Sequence, residues 1–99
     1  MSLFSLTGKV AVITGSSKGI GRAIAERMAE QGAKVVISSR KAGPCAEVAA
    51  AINEKLGAGT AVSIPANISS KEQLKNLVDE TNTRFGKIDV LVCNAASNP

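Results

Sequence analysis

The chain contains no tryptophan, no tyrosine and no histidine, and its only aromatic residues are two phenylalanines among 99 residues. Without indole or phenol rings there is nothing for nucleic-acid bases to stack on. Basic residues outnumber acidic ones by four, yet they do not cluster. Lys71, Lys75, Arg84 and Lys87 alternate with Glu72, Asp79 and Glu80, as on a solvated helix face. No nucleic-acid partner is expected. No apolar run approaches the ~20 residues needed to cross a bilayer, so no membrane partner is expected either. Residues 1–4 offer neither a basic start nor a long apolar core, so no signal peptide is read there. Cysteine is scarce: Cys45 and Cys93 stand far apart. In the absence of a secretory signal they read as free thiols in a reducing compartment. A cytoplasmic location is expected on these grounds, which strips the Asn67-Ile68-Ser69 glycosylation pattern of meaning. No metal-ligand set is assigned.

What is present reads as one globular domain, because 44% of residues are hydrophobic and 20% charged. Its organising stretch is Thr14-Gly15-Ser16-Ser17-Lys18-Gly19-Ile20-Gly21. The β-branched run Val10-Ala11-Val12-Ile13 leads in and an amphipathic pattern from Ile20 to Met28 leads out. This is a glycine-rich turn between a strand and a helix. Glycines let the chain turn sharply and let a ligand approach without a Cβ in the way. The free N–H groups and positive dipole end of the following helix attract phosphate. The loop is not a Walker A motif, since Ile20 follows Gly19. Nor is it the common dinucleotide fingerprint, which would need a glycine where Ile24 stands.

The remaining periodicity predicts six further elements. A helix runs from about Ile20 to Gln31, with Ile20, Ala23, Ile24 and Met28 as its apolar stripe and Gly32 as its stop. Residues 34–39 form a second strand. A second helix starts near Pro44, buries Val48, Ala49, Ile52 and Leu56, and ends at Gly57. Thr60 to Pro65 is a third strand. Ser70 caps a third helix, with Gln73 completing a capping box. That helix buries Leu74, Leu77, Val78, Thr81 and Phe85 and closes at Gly86. Residues 88–93 form a fourth strand. The order β-α-β-α-β-α-β with right-handed crossovers implies an α/β, doubly wound, Rossmann-like parallel sheet in strand order 3-2-1-4. Its switch point lies between the first and fourth strands, beside the glycine loop.

The spacing Thr-Gly-x-x-x-Gly-Ile-Gly, matched here letter for letter, resembles the short-chain dehydrogenase/reductase family. The resemblance covers nearly the whole chain, but only the amino-terminal, cofactor-binding half of a family member. It implies that Gly15, Ser16, Ser17, Lys18, Gly19, Ile20 and Gly21 hold the phosphates of a nicotinamide dinucleotide. Thr14 is expected to act structurally.

At the end of the second strand Arg40 lies 19 residues beyond Gly21 with no carboxylate nearby. Dinucleotide folds place there an acidic residue that binds the ribose 2′-hydroxyl. By the resemblance Ser39 takes that position and Arg40 follows it. A guanidinium binds a 2′-phosphate through paired hydrogen bonds, and Lys18 reaches the same group. NADP(H) is therefore expected in preference to NAD(H), although a plain surface arginine would look the same.

Asn67 stands where the family usually carries an Asp that binds the adenine amino group. It is either that acceptor or a residue stabilising its own turn. Ile68 lies against the adenine or in the core. Asn94 and Ala95 match the family segment that borders the adenosine ribose and steadies the sheet, whereas Cys93 and Ala96 depart from it. Cys93 is expected to be a small core residue and Cys45 a spectator.

Hydride transfer to a carbonyl needs a proton donor for the developing alkoxide. In the family a Tyr in a Tyr-x-x-x-Lys motif supplies it, and this chain has no Tyr. No catalytic residue is assigned, and residues 1–99 alone are not expected to turn over substrate. A lone third helix on one sheet face and a bare fourth strand further imply packing against additional sequence. Two functions stay open. One is the cofactor-binding part of an NADP(H)-dependent oxidoreductase acting on a carbonyl or alcohol, a homo-oligomer when complete. The other is a non-catalytic nucleotide-binding or regulatory module.

Overall fold

The structure is a computed structural model that describes residues 5–94. Seven elements alternate: β1 (Val10–Thr14), α1 (Gly19–Glu30), β2 (Lys34–Ser38), α2 (Ala42–Leu56), β3 (Ala61–Ser63), α3 (Lys71–Phe85) and β4 (Val90–Cys93). The four strands form one parallel sheet in the order β3-β2-β1-β4. Fold class and strand order are those expected. The central strand β1 is buried along its whole length, as a two-sided parallel strand without alternation must be.

Alternate residues of the strands feed two cores. Ala11, Ile13, Val35 and Ile37 pack under α1 and α2, with Ala25, Ala29, Cys45, Val48 and Ile52. Val12, Val36, Ile64 and Ala66 pack under α3, with Leu77 as the central helix contact. The first two helices thus cover one face and α3 alone covers the other. That leaves Leu91 of β4, in register with Val12, 51% exposed on the α3 face. Cys93 is exposed as well, contrary to its expected core position, because no helix overlies that end of β4 among the described residues.

The α1 stripe also differs from expectation. Gly21, Ala25 and Ala29 face the sheet, while Ile20 is 73% exposed and Ala23 is exposed too. Close approach to the strands selects the row of smallest side chains. Ile24 and Met28 pack at its margin, only partly buried. In α2 Cys45 replaces Leu56 in the buried row. In α3 Leu77 and Thr81 are buried, whereas Leu74 lies at the surface. The second helix begins two residues before Pro44, at Ala42. Proline still costs nothing there, since the first-turn N–H groups lack intrahelical acceptors anyway.

Strand β3 is shorter than expected, but its pairing with β2 outlasts its regular geometry. Ile64 N–H donates to Ile37 O at 3.0 Å and Ala66 N–H to Ser39 O at 2.9 Å. Its backbone is also met by α2: the Asn53 amide donates to Ala61 O and accepts from Ala61 N–H, each at 2.8 Å. Such plugging blunts an edge strand.

At the opposite end of the sheet Asp89 anchors β4 to β1. Its carboxylate accepts the Val10 N–H at 2.8 Å and meets Lys87 Nζ at 3.1 Å. The Val10 N–H foremost, and the Lys87 ammonium with it, hold the Asp89 carboxyl below its ordinary value of 3.8. A depressed folded-state pKa gives stability that is present above pH 3.8 and fades as pH falls through the lower folded value. Acid titration of wild type and Asp89→Asn, followed by circular dichroism, is expected to show this contribution in wild type only. Parallel acid curves would refute it. No described helix is long and apolar enough to cross a membrane.

Candidate functional site

The carboxyl ends of β1, β2 and β4 and the chain after β3 converge on one edge of the sheet. The glycine loop occupies its centre. Gly15 and Gly19 have φ of 65° and 63°, values that a side chain makes costly. A Cβ added at Gly19 would meet nothing within 4 Å, whereas one at Gly15 or Gly21 would run into the chain around Asn94 and Gly15. Gly15 and Gly21 thus allow loop, helix and β4 to touch, while Gly19 leaves open space. No side chain caps α1 and its first turn has no acidic residue. Its leading N–H groups therefore face the loop with the positive end of the helix dipole.

Strand-end side chains lace this edge together. Thr14 Oγ1 donates to Val92 O at 3.3 Å and accepts the Asn94 N–H at 3.1 Å. The Asn94 amide donates to Gly15 O at 3.3 Å. Thr14 is accordingly structural, and Asn94 ties β4 to the loop. Ser16 is fully buried and its hydroxyl is bonded within the protein. Ser17 is half-buried, and Lys18, Gly19 and Ile20 are exposed at the mouth of the loop.

Beyond β2, Ser39 Oγ accepts the Lys41 N–H at 3.3 Å and lies 3.1 Å from Cys45 Sγ. This turn presents Arg40 and Lys41 to solvent. Six ion pairs join charged side chains elsewhere, but none involves Lys18, Arg40 or Lys41 among the described residues. These three cations therefore stand by the strand ends without an ion-pair partner among the described residues.

After β3, Asn67 Oδ1 accepts the Ser69 N–H at 2.9 Å, so the turn-stabilising role is present. Only half of the expected capping box forms. Ser70 Oγ accepts the Gln73 N–H at 3.2 Å, but the Gln73 amide oxygen takes the Asn67 N–H at 2.8 Å instead of reaching Ser70. Ser70 N–H is already bonded to Asn67 O at 2.9 Å. Ile68 is 42% exposed beside this turn and is not core. Ala95 lies outside the described residues. A shallow hollow of about 250 Å³ between α1 and α2 contains none of the predicted site residues.

The family model for short chain dehydrogenase matches residues 9–99. The chain belongs to the short-chain dehydrogenase/reductase family. It is 45% identical over 94 residues to a short-chain dehydrogenase/reductase SDRA from Arabidopsis thaliana, covering 95% of this chain and 36% of that protein. Over 93 residues it is 47% identical to a tropinone reductase-like 3 from Erythroxylum coca, covering 93% of this chain and 35% of that one. Among solved structures it resembles a hydroxysteroid dehydrogenase from Escherichia coli. There the TM-score is 0.88 at 40% identity, covering 94% of this chain and 39% of that one. A second is an L-sorbose reductase from Gluconobacter frateurii, complexed with NADPH and L-sorbose. Its TM-score is 0.89 at 38% identity, covering 96% of this chain and 36% of that one.

This short-chain dehydrogenase/reductase chain thus spans slightly more than a third of the length of the relatives it matches. The family is one of oxidoreductases with an NAD(P)-binding fold. Sequence reasoning singled out the edge that carries the glycine loop but missed two things. One is that Ser16 is sealed inside. The other is that Cys45, four residues into α2, lies against Ser39. The second was accessible: a first-turn helix residue normally sits beside the strand end that feeds the helix.

Proposed function

We propose that this chain is the NADP(H)-binding part of an oxidoreductase that interconverts a carbonyl and an alcohol by hydride transfer. The observation that carries the reading is the pairing of an open glycine loop with Arg40, Lys41 and Lys18, exposed at one sheet edge and without a carboxylate partner among the described residues. When bound, the cofactor supplies or accepts the hydride. The chain's own residues hold and orient it. The loop N–H groups at Gly19, Ile20 and Gly21, with Ser17, take the pyrophosphate. Arg40, assisted by Lys18, takes a 2′-phosphate, a group that an acidic residue would repel. Ser39 contributes chiefly through its turn, since its hydroxyl is already bonded. Ile68 offers an apolar surface to adenine. Asn67 retains a second lone pair for the adenine amino group. Asn94 and Ala95 border the ribose.

The NADPH complex of the L-sorbose reductase supports the cofactor choice by analogy. The exposed Leu91 and Cys93 on β4, and relatives of which the chain covers 35–36%, support residues 1–99 being the amino-terminal part of a longer enzyme. On that reading the proton donor, the substrate pocket and the contacts of a homo-oligomer belong to the remainder.

Arg40→Asp tests the cofactor assignment. Loss of one charge-assisted bond, worth ~1.5–3 kcal/mol, is expected to weaken NADPH binding roughly 10- to 100-fold and NADH binding much less. Calorimetric titration of both cofactors reads the difference. Equal losses would refute the 2′-phosphate role. Turnover of a carbonyl by the complete protein separates an enzyme from a regulatory nucleotide-binding module.

A further inference from the structure

Strands β1 and β2 stay in register up to Thr14 and Ser38, where one chain enters the glycine loop and the other turns towards α2. One side chain spans the fork. Ser16 has no exposed surface. Its hydroxyl donates to Ile13 O at 2.6 Å and accepts the Ser38 N–H at 2.9 Å. Its own N–H donates to Ser38 O at 3.0 Å. Among the described residues no other side chain joins residues 15–21 to residues 38–41. Ser38 directly precedes Ser39 and Arg40, and Ser39 O in turn holds the Ala66 N–H at 2.9 Å. A hydroxyl committed in this way and sealed from solvent is not available to a ligand.

We propose that Ser16 is a positioning residue: it sets the separation between the glycine loop and Arg40, and so sets the preference for a 2′-phosphorylated dinucleotide. The inference rests on the cofactor reading above and deepens it. A dinucleotide carrying a 2′-phosphate engages two anion-binding segments at once. Its affinity therefore depends on how well their spacing matches that of its phosphates. A dinucleotide without that phosphate makes no bond to Arg40 and is less sensitive to the spacing between loop and guanidinium.

The test is Ser16→Ala in the full chain, titrated calorimetrically with NADPH and with NADH alongside thermal melting. The ratio of NADPH to NADH affinity is expected to fall at least about fivefold, as the charge-assisted bond to Arg40 weakens. In an Arg40→Ala background the same substitution should change NADPH affinity by less than about twofold, because the group it positions is gone. Should Ser16→Ala fail to fold, Ser16→Cys, with a weaker hydrogen-bonding group of similar shape, takes its place with the same readouts. Equal losses for both cofactors would mean that the hydroxyl shapes only the glycine loop, not its distance from Arg40, and overturn the inference. A lower melting temperature with unchanged affinities would make it merely structural and overturn it too. If wild type itself binds both cofactors equally, the cofactor reading fails and this inference falls with it. If wild type prefers NADPH and the ratio survives Ser16→Ala, only this inference fails.

Discussion

Gly19→Val is expected to lower affinity for either nicotinamide dinucleotide by more than about 100-fold while leaving a folded protein. The argument separates strain from space. Gly19 has φ 63°, where a β-branched residue costs on the order of 1–3 kcal/mol. A Cβ there meets nothing within 4 Å beyond its own chain neighbours and helix backbone, so the fold bears chiefly the strain. The added side chain would fill the open space at the head of α1, where the proposed pyrophosphate rests against bare N–H groups. Gly59→Val is the matched control. Gly59 has φ 86° and equally empty surroundings, in the turn between α2 and β3. Both variants should lose similar thermal stability, but Gly59→Val should bind cofactor as wild type does. If Gly19→Val binds normally, the phosphate site is not in this loop.

Gly21→Ala is expected to destabilise the protein by about 3 kcal/mol or more, above the usual cost of one extra methyl in a packed core. For a domain of this size that lowers the melting temperature by roughly 10–20 °C. Gly21 has ordinary helical geometry and needs no left-handed freedom. Its reason is space: a Cβ would press on the Gly15 carbonyl and lie 2.7 Å from the Asn94 amide. The first is backbone and cannot rotate away. The helix must therefore lift off β1, breaking the Asn94–Gly15 bond. Melting by circular dichroism checks this directly. A change of less than about 1 kcal/mol would show that α1 is not seated as closely as described.

The two glycines sit two residues apart in one motif, yet they have opposite reasons for lacking a side chain. The motif's spacing could not separate them. Other misreadings share this origin. The α1 stripe was assigned to Ile20, Ala23, Ile24 and Met28 by size and period, but the sheet accepts Gly21, Ala25 and Ala29 because the helix packs close. Ser16 and Ser17 look alike in sequence, and the converging strand ends bury only the first. Asn67 had two open readings. The Ser69 N–H supplies the turn-stabilising one. Cys93 was placed in the core by residue type, yet nothing among the described residues covers it.

Local chemistry was enough to determine the alternation of strands and helices, the parallel sheet, its strand order and the edge on which the glycine loop lies. These follow from hydrophobic period, helix stops and the right-handed crossover, all of which are read within a few residues. Tertiary structure alone decided which glycine provides space for a ligand and which provides contact, and which serine is a bond within the fold. Those outcomes depend on how far apart two strand ends and a helix terminus come to rest. Distance between segments remote in sequence is set by packing, and no residue type encodes it.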